Sequence, residues 1–141
     1  DGPRLLGSDR DHGAIEAATG NAERAGVAVE LAVAPAGKAP AFTTTPPGDA
    51  GALVSNPPYG ERIGRGRDLR PLYQTLGARA RALPGHWRIA LLVADRRLAG
   101  QTGLELASAL MTEHGGRKVY VMVGEAGAAT AVSVSSRPPA P

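Results

Sequence analysis

The sequence predicts an α/β fold whose sheet is mostly parallel and ends in an antiparallel hairpin. Three observations point there. Apolar strand-like runs alternate with stretches of helical periodicity, "HWRIALLVAD" is apolar towards both sides as a central parallel strand must be, and "LELASALMTEHGGRKVYVMVGE" reads as two strands about a "GG" turn.

The elements follow in chain order. "RLLGSD" is a short apolar run that ends in turn chemistry. In "DHGAIEAATGNAERAG", Ala14, Ile15, Ala17, Ala18, Ala22 and Ala25 fall close to helical spacing, with Asp11 as N-cap and Gly26 just past the last turn. Gly20 weakens that helix by about 1 kcal/mol relative to alanine. "VAVELAV" alternates like a strand, and "APAGKAPAFTTTPPGDAG" is then a long Pro, Gly and Thr-rich loop. "ALVSN" is the next buried strand. Leu69, Leu72, Tyr73, Leu76, Ala80 and Leu83 follow helical periodicity until "PG" at 84 and 85 stops it. After the hairpin, "AGAATAVSVSSRPPAP" is low in complexity and is expected to form a flexible tail.

Composition narrows the function classes. A chain of 141 residues suits one domain with a real core. No apolar run approaches the roughly 18 to 20 residues of a bilayer span, and "DGPRLLGSDRD" lacks the layout of a signal peptide, so a soluble, cytoplasmic protein without membrane contact is expected. There is no cysteine, and His12, His86 and His114 are scattered, so no metal is expected. Arginine outnumbers lysine 14 to 2, a bias that suits phosphate recognition but that a GC-rich genome also produces.

The chemistry concentrates in "LVSNPPYGERIG", residues 53–64. Ligands of open parallel sheets bind beyond the carboxyl ends of the strands, and both "GSD" and "SNPPY" fall there, facing one crevice in the expected fold. The Asn56 amide oxygen and the Pro57 carbonyl are acceptors able to hold both hydrogens of an exocyclic NH2, and neither Pro57 nor Pro58 brings a competing N–H. Tyr59 offers a flat face on which a base can stack. A plain strand terminator would need only part of this pattern. Asp9 suits the hydroxyls of a ribose or, equally, the support of its own turn. Arg62 and Arg65 suit phosphate contacts beside the base; Arg67 and Arg70 are open between that role and a solvated loop. Trp87 is expected to pack, and Asp95 to cap a helix.

Taken together, "LLGSDRDHGAIEAATGNAERAGV", "ALVSNPPYGERIG", "LYQTLG", "HWRIALLVAD" and the "HGG" hairpin resemble the THUMP-linked class I methyltransferases that modify guanine N2 in 23S ribosomal RNA. The similarity covers about residues 4–124. It implies a Rossmann-like class I sheet, S-adenosylmethionine as cofactor, and RNA as partner. Asn56, Pro57, Pro58 and Tyr59 would form the target-amine site, and Asp9, Arg10 and Asn56 would contact the cofactor. Two departures stand out. The family's first strand and glycine-rich loop, like its THUMP domain, should precede Asp9 and lie outside these residues, and Pro35 stands where an acidic residue usually meets the adenine. The expectation is thus a partial catalytic domain over 1–124 that need not be active alone, followed by the tail over 125–141. DNA adenine-N6 methylation and a non-catalytic nucleic-acid-binding remnant are the competing readings.

Overall fold

The computed structural model describes residues 2–46, 50–59 and 67–130. They fall into two compact units, Asp1–Thr45 and Pro46–Pro141.

In the first unit, strand β1 (Leu6–Asp9) pairs in parallel with β2 (Glu30–Val33), and helix α1 (His12–Ala25) connects them. Asp11 starts the helix by accepting from the Ala14 N–H at 2.9 Å. Gly26 ends it in the left-handed region at φ 65°, where its N–H reaches the Ala22 and Glu23 carbonyls. Strand pairing begins only at Glu30, so Val27–Val29, expected in the strand, lie before it. The loop expected after β2 is partly ordered into a 3-10 turn, Ala36–Lys38, and a short helix α2 (Ala41–Thr44). Pro40 sits at the helix entrance with φ −53°, where its fixed dihedral favours a turn rather than breaking one. No residue of this unit is fully buried among those described. Arg4 clamps Glu30 across the sheet's start, Nε to Oε1 at 2.6 Å and Nη2 to Oε2 at 2.8 Å. The hydrogen bonds from Arg4 hold the Glu30 carboxyl below its ordinary range.

The second unit is a four-stranded sheet in the order β3-β4-β6-β5. β3 (Ala50–Ser55) runs parallel to β4 (His86–Val93). β6 (Arg117–Ala126) is antiparallel to both β4 and β5 (Leu106–His114). Helices α3 (Arg70–Ala82) and α4 (Arg96–Gly100) flank β4 in sequence. The β5–β6 connection is the expected two-glycine turn, with Gly115 at φ 60° and Gly116 at φ 75°, the pair of positive dihedrals a tight hairpin needs.

Ile89, Leu91 and Val93 of β4 are buried, together with Tyr73, Leu76, Ala80 and Leu83 of the α3 segment and Val119, Met122 and Ala126 of β6. The Leu, Ile, Val and Met side chains among them contribute about 1.5–3 kcal/mol each when fully buried. The other face of β4 is less covered than expected: Ala90 and Leu92 are half-buried, and Val54, the register partner of Ala90, is 75% exposed. Trp87 packs as expected, lying over Gly51 and donating from Nε1 to the Pro84 carbonyl at 2.7 Å. At the chain's end, residues 125–130 are not free as a tail should be. β6 runs to Ala126, Ala128 and Ala129 donate to the Leu83 and Gly85 carbonyls, and Thr130 Oγ1 bonds Ala126 O at 2.8 Å. Residues 131–141 of the expected tail lie outside the described residues.

Candidate active site

The "NPPY" motif leaves β3 directly after Ser55, at the carboxyl end of the parallel pair. Pro57 is buried and Pro58 half-buried, and their rings hold two consecutive φ values near −65°. The Tyr59 side chain reaches back to Asn56: the tyrosine hydroxyl donates to Asn56 Oδ1 at 2.8 Å. Asn56 itself is exposed and Tyr59 half-buried. Tyr59 thus does more than offer a face, because it fixes which way the Asn56 amide points. An amide oxygen accepts two hydrogen bonds, so one acceptor position remains.

Tyr73, in the first turns of α3, belongs to the same end of the unit. It is 1% exposed, and burial pushes its phenol up to about 12, with Tyr59 and Asp95 adding in the same direction. Asp95 follows β4 and caps α4, accepting from the Arg97 N–H at 2.8 Å. A phenol, an amide and a carboxylate thus gather where β3 and β4 end. The sequence marked Tyr73 only as a core residue; its helical spacing said nothing of its neighbours across the sheet.

Asp9 lies at the carboxyl end of β1, exposed, in the first unit. Its Oδ1 accepts from the Asp11 N–H at 2.8 Å, which is the turn-supporting role. Its Oδ2 has no protein partner among the described residues. A carboxylate oxygen open to solvent at a strand's end is chemically suited to a ribose hydroxyl. Arg10 beside it is exposed. Pro35 is exposed as well, leading the 3-10 turn.

Arg62 and Arg65, the expected phosphate contacts, lie outside the described residues. Arg70, left open by the sequence, is occupied: it clamps Asp68 through Nε at 2.9 Å and Nη2 at 2.8 Å. That pair lowers the Asp68 pKa and raises that of Arg70. Asp68 also accepts from the Arg70 N–H at 3.0 Å, so the pair starts α3. Among the described residues no cluster of His, Asp and Glu could hold a metal ion, and no helix is long and apolar enough to cross a membrane.

Residues 2–127 match the model of a family described as RMKL-like, methyltransferase domain. Among curated proteins, the ribosomal RNA large subunit methyltransferase K/L of Chromohalobacter salexigens is 36% identical over 101 residues, 72% of this chain. That of Shewanella loihica is 40% identical over 109 residues, 76% of this chain. The match spans 14% of the length of each of these relatives. Among solved structures, a "possible methylase from Clostridium difficile 630" is similar with a TM-score of 0.69 and 26% identity, over 98% of this chain and 33% of that one. A protein assigned as a methyltransferase and complexed with SAH gives 0.68 and 26%, over 84% of this chain and 30% of that one. The parallel strands and the closing antiparallel hairpin agree with these structures.

Proposed function

This chain belongs to the family of RMKL-like methyltransferase domains, and from that premise we propose that it serves S-adenosylmethionine-dependent methylation of an exocyclic base amine in RNA, guanine N2 of 23S ribosomal RNA. In this reading it acts in the cytoplasm. The names of its curated relatives support the choice of RNA over DNA. The observation that carries the reading is the exposed Asn56 amide at the carboxyl end of β3, steadied by the Tyr59 hydroxyl at 2.8 Å.

The remaining acceptor position on Asn56 Oδ1 takes one N–H of the target amine, and the Pro57 carbonyl takes the other. An aromatic amine is a weak nucleophile because its lone pair is delocalised into the ring. Fixing both N–H bonds frees that pair towards an electrophile and stabilises the positive charge that grows on nitrogen. Tyr59 gives the base, taken out of its stack, a surface to lie on. S-adenosylmethionine, when bound, would supply an electrophilic methyl group to the amine held by Asn56 and Pro57, and the methylated amine would give its extra proton to solvent. Asp9, with its Oδ2 open, suits the cofactor ribose; Arg10 and Asn56 complete the cofactor contacts, and Arg62 and Arg65 hold RNA phosphates.

The test is Asn56→Ala in an active protein carrying this domain, assayed with unmodified 23S RNA and labelled cofactor. Loss of one oriented polar group should remove about 2 to 4 kcal/mol of transition-state stabilisation, roughly 30- to 1000-fold in kcat. Unchanged turnover, or label recovered on adenine of DNA, would end this reading.

A further inference from the structure

β4 ends at Val93, whose partner on β6 is Tyr120. β6 begins three residues earlier, at Arg117, and stays paired with β5 to its first residue. At about 3.4 Å per residue the hairpin therefore projects roughly 10 Å past the end of β4. β3 runs parallel to β4, so Asn56 leaves the sheet at that same end. The hairpin stands as a wall at the same end of the sheet as the motif, across β4 from β3.

The wall and the first turn of α4 are basic. Arg96, Arg97 and Lys118 are exposed. Among the described residues, none of these three forms an ion pair, whereas Arg4 and Arg70 each clamp a carboxylate. The Arg96 guanidinium lies over the Tyr120 ring, 4.9 Å from its centroid. Stacking of this kind anchors a cation without neutralising it, and leaves the N–H edges of the guanidinium free to donate. It also ties α4 to the base of the hairpin. The local acids are Glu113, the cross-strand partner of Lys118, and Asp95, whose Oδ1 is taken up by the Arg97 N–H. Among the described residues, Arg96, Arg97 and Lys118 thus outnumber these two carboxylates.

We propose that the β5–β6 hairpin and the first turn of α4 form a contact surface for the RNA backbone, with Arg96, Arg97 and Lys118 holding phosphates of the strand that enters the Asn56–Tyr59 site. This rests on the function proposed above. A polyanion fits better than a compact acidic ligand because the cations spread over two elements along a projecting edge. The double-glycine turn keeps that edge short and its tip defined.

The test is a salt titration of binding, by fluorescence anisotropy of a labelled single-stranded segment of 23S RNA, between about 50 and 200 mM salt. Each phosphate contact adds about 0.7 to the slope of log K against log salt for a single strand. The triple variant Arg96→Gln/Arg97→Gln/Lys118→Gln should flatten the slope by about 2, and Lys118→Gln alone by about 0.7. Arg79→Gln, on α3, should leave it unchanged. Wild-type binding with an unaltered slope in the triple variant would overturn the surface while leaving the methyltransferase reading intact. An equal loss with Arg79→Gln would reduce the effect to net charge and overturn it too. No salt-dependent RNA binding by the wild type would remove both the surface and the function on which it rests.

Discussion

Tyr73 should make this protein sensitive to alkali in a defined window. Its phenol ionises near 10 in an unfolded chain and only at about 12 in the fold, chiefly because burial disfavours the phenolate. Between those values the unfolded state has lost a proton that the native state keeps. The native state then binds more protons, and stability falls as pH rises. The contribution is fully present below pH about 10 and gone above about 12. An interval of about 2 pH units at 1.36 kcal/mol each caps the loss at about 2.7 kcal/mol, and about 2 kcal/mol is a realistic reading for a side chain that is 1% exposed. Tyr73→Phe removes this proton and little else from the core. Urea unfolding of both proteins at intervals from pH about 9 to 11.5 isolates the effect, because every other titrating group is common to the two. The stability difference between them should change by about 2 kcal/mol across the window, in the direction of a relatively more stable phenylalanine variant at high pH. A difference that stays constant with pH would refute the assignment of Tyr73 as a buried, neutral phenol.

Two further outcomes test the packing. A Cβ on Gly77 would lie 1.9 Å from the Thr102 carbonyl oxygen and 2.6 Å from its carbon, so Gly77→Ala must push α3 away from the segment after α4. A cost of about 2–3 kcal/mol is expected in urea unfolding, and a wild-type midpoint would show that the close approach is not obligatory. Asp11→Ala removes the acceptor for the Ala14 N–H and should weaken α1 by about 1 kcal/mol. Amide exchange along His12–Ala25 reads this directly; unaltered protection would mean that the cap is dispensable.

Much of the architecture was legible because its determinants are local. Asp11 and Gly26 bracket α1, "GG" sets the hairpin, and the apolar run from Trp87 to Val93 marks the central strand. The segment after β2 reads as a loop because Pro and Thr break regular structure more often than they start it. Pro40 instead opens a helical turn, and the Thr43 and Thr44 hydroxyls bond back to its carbonyl. β2 starts later than its alternation suggests because pairing needs a neighbour, and β1 offers only Leu6–Asp9. The motif from Asn56 to Tyr59 was visible as a string of residue types. Its internal hydrogen bond was not, since it depends on the dihedrals of two prolines in series. Least legible was the basic rim, whose members are separated by some twenty positions and meet only through the register of β4 with β6.

The order β3-β4-β6-β5 also bears on how the protein is made. β6 is made after both of the strands between which it is wedged, so a nascent chain that has completed β4 carries its greasiest strand with one side unsealed. Translation proceeds at about 5–20 residues per second, which leaves that side open for some seconds before the end of β6 follows. An unpaired apolar edge is where chains adhere to one another. The close of the hairpin is therefore also the moment at which that side of β4 is sealed.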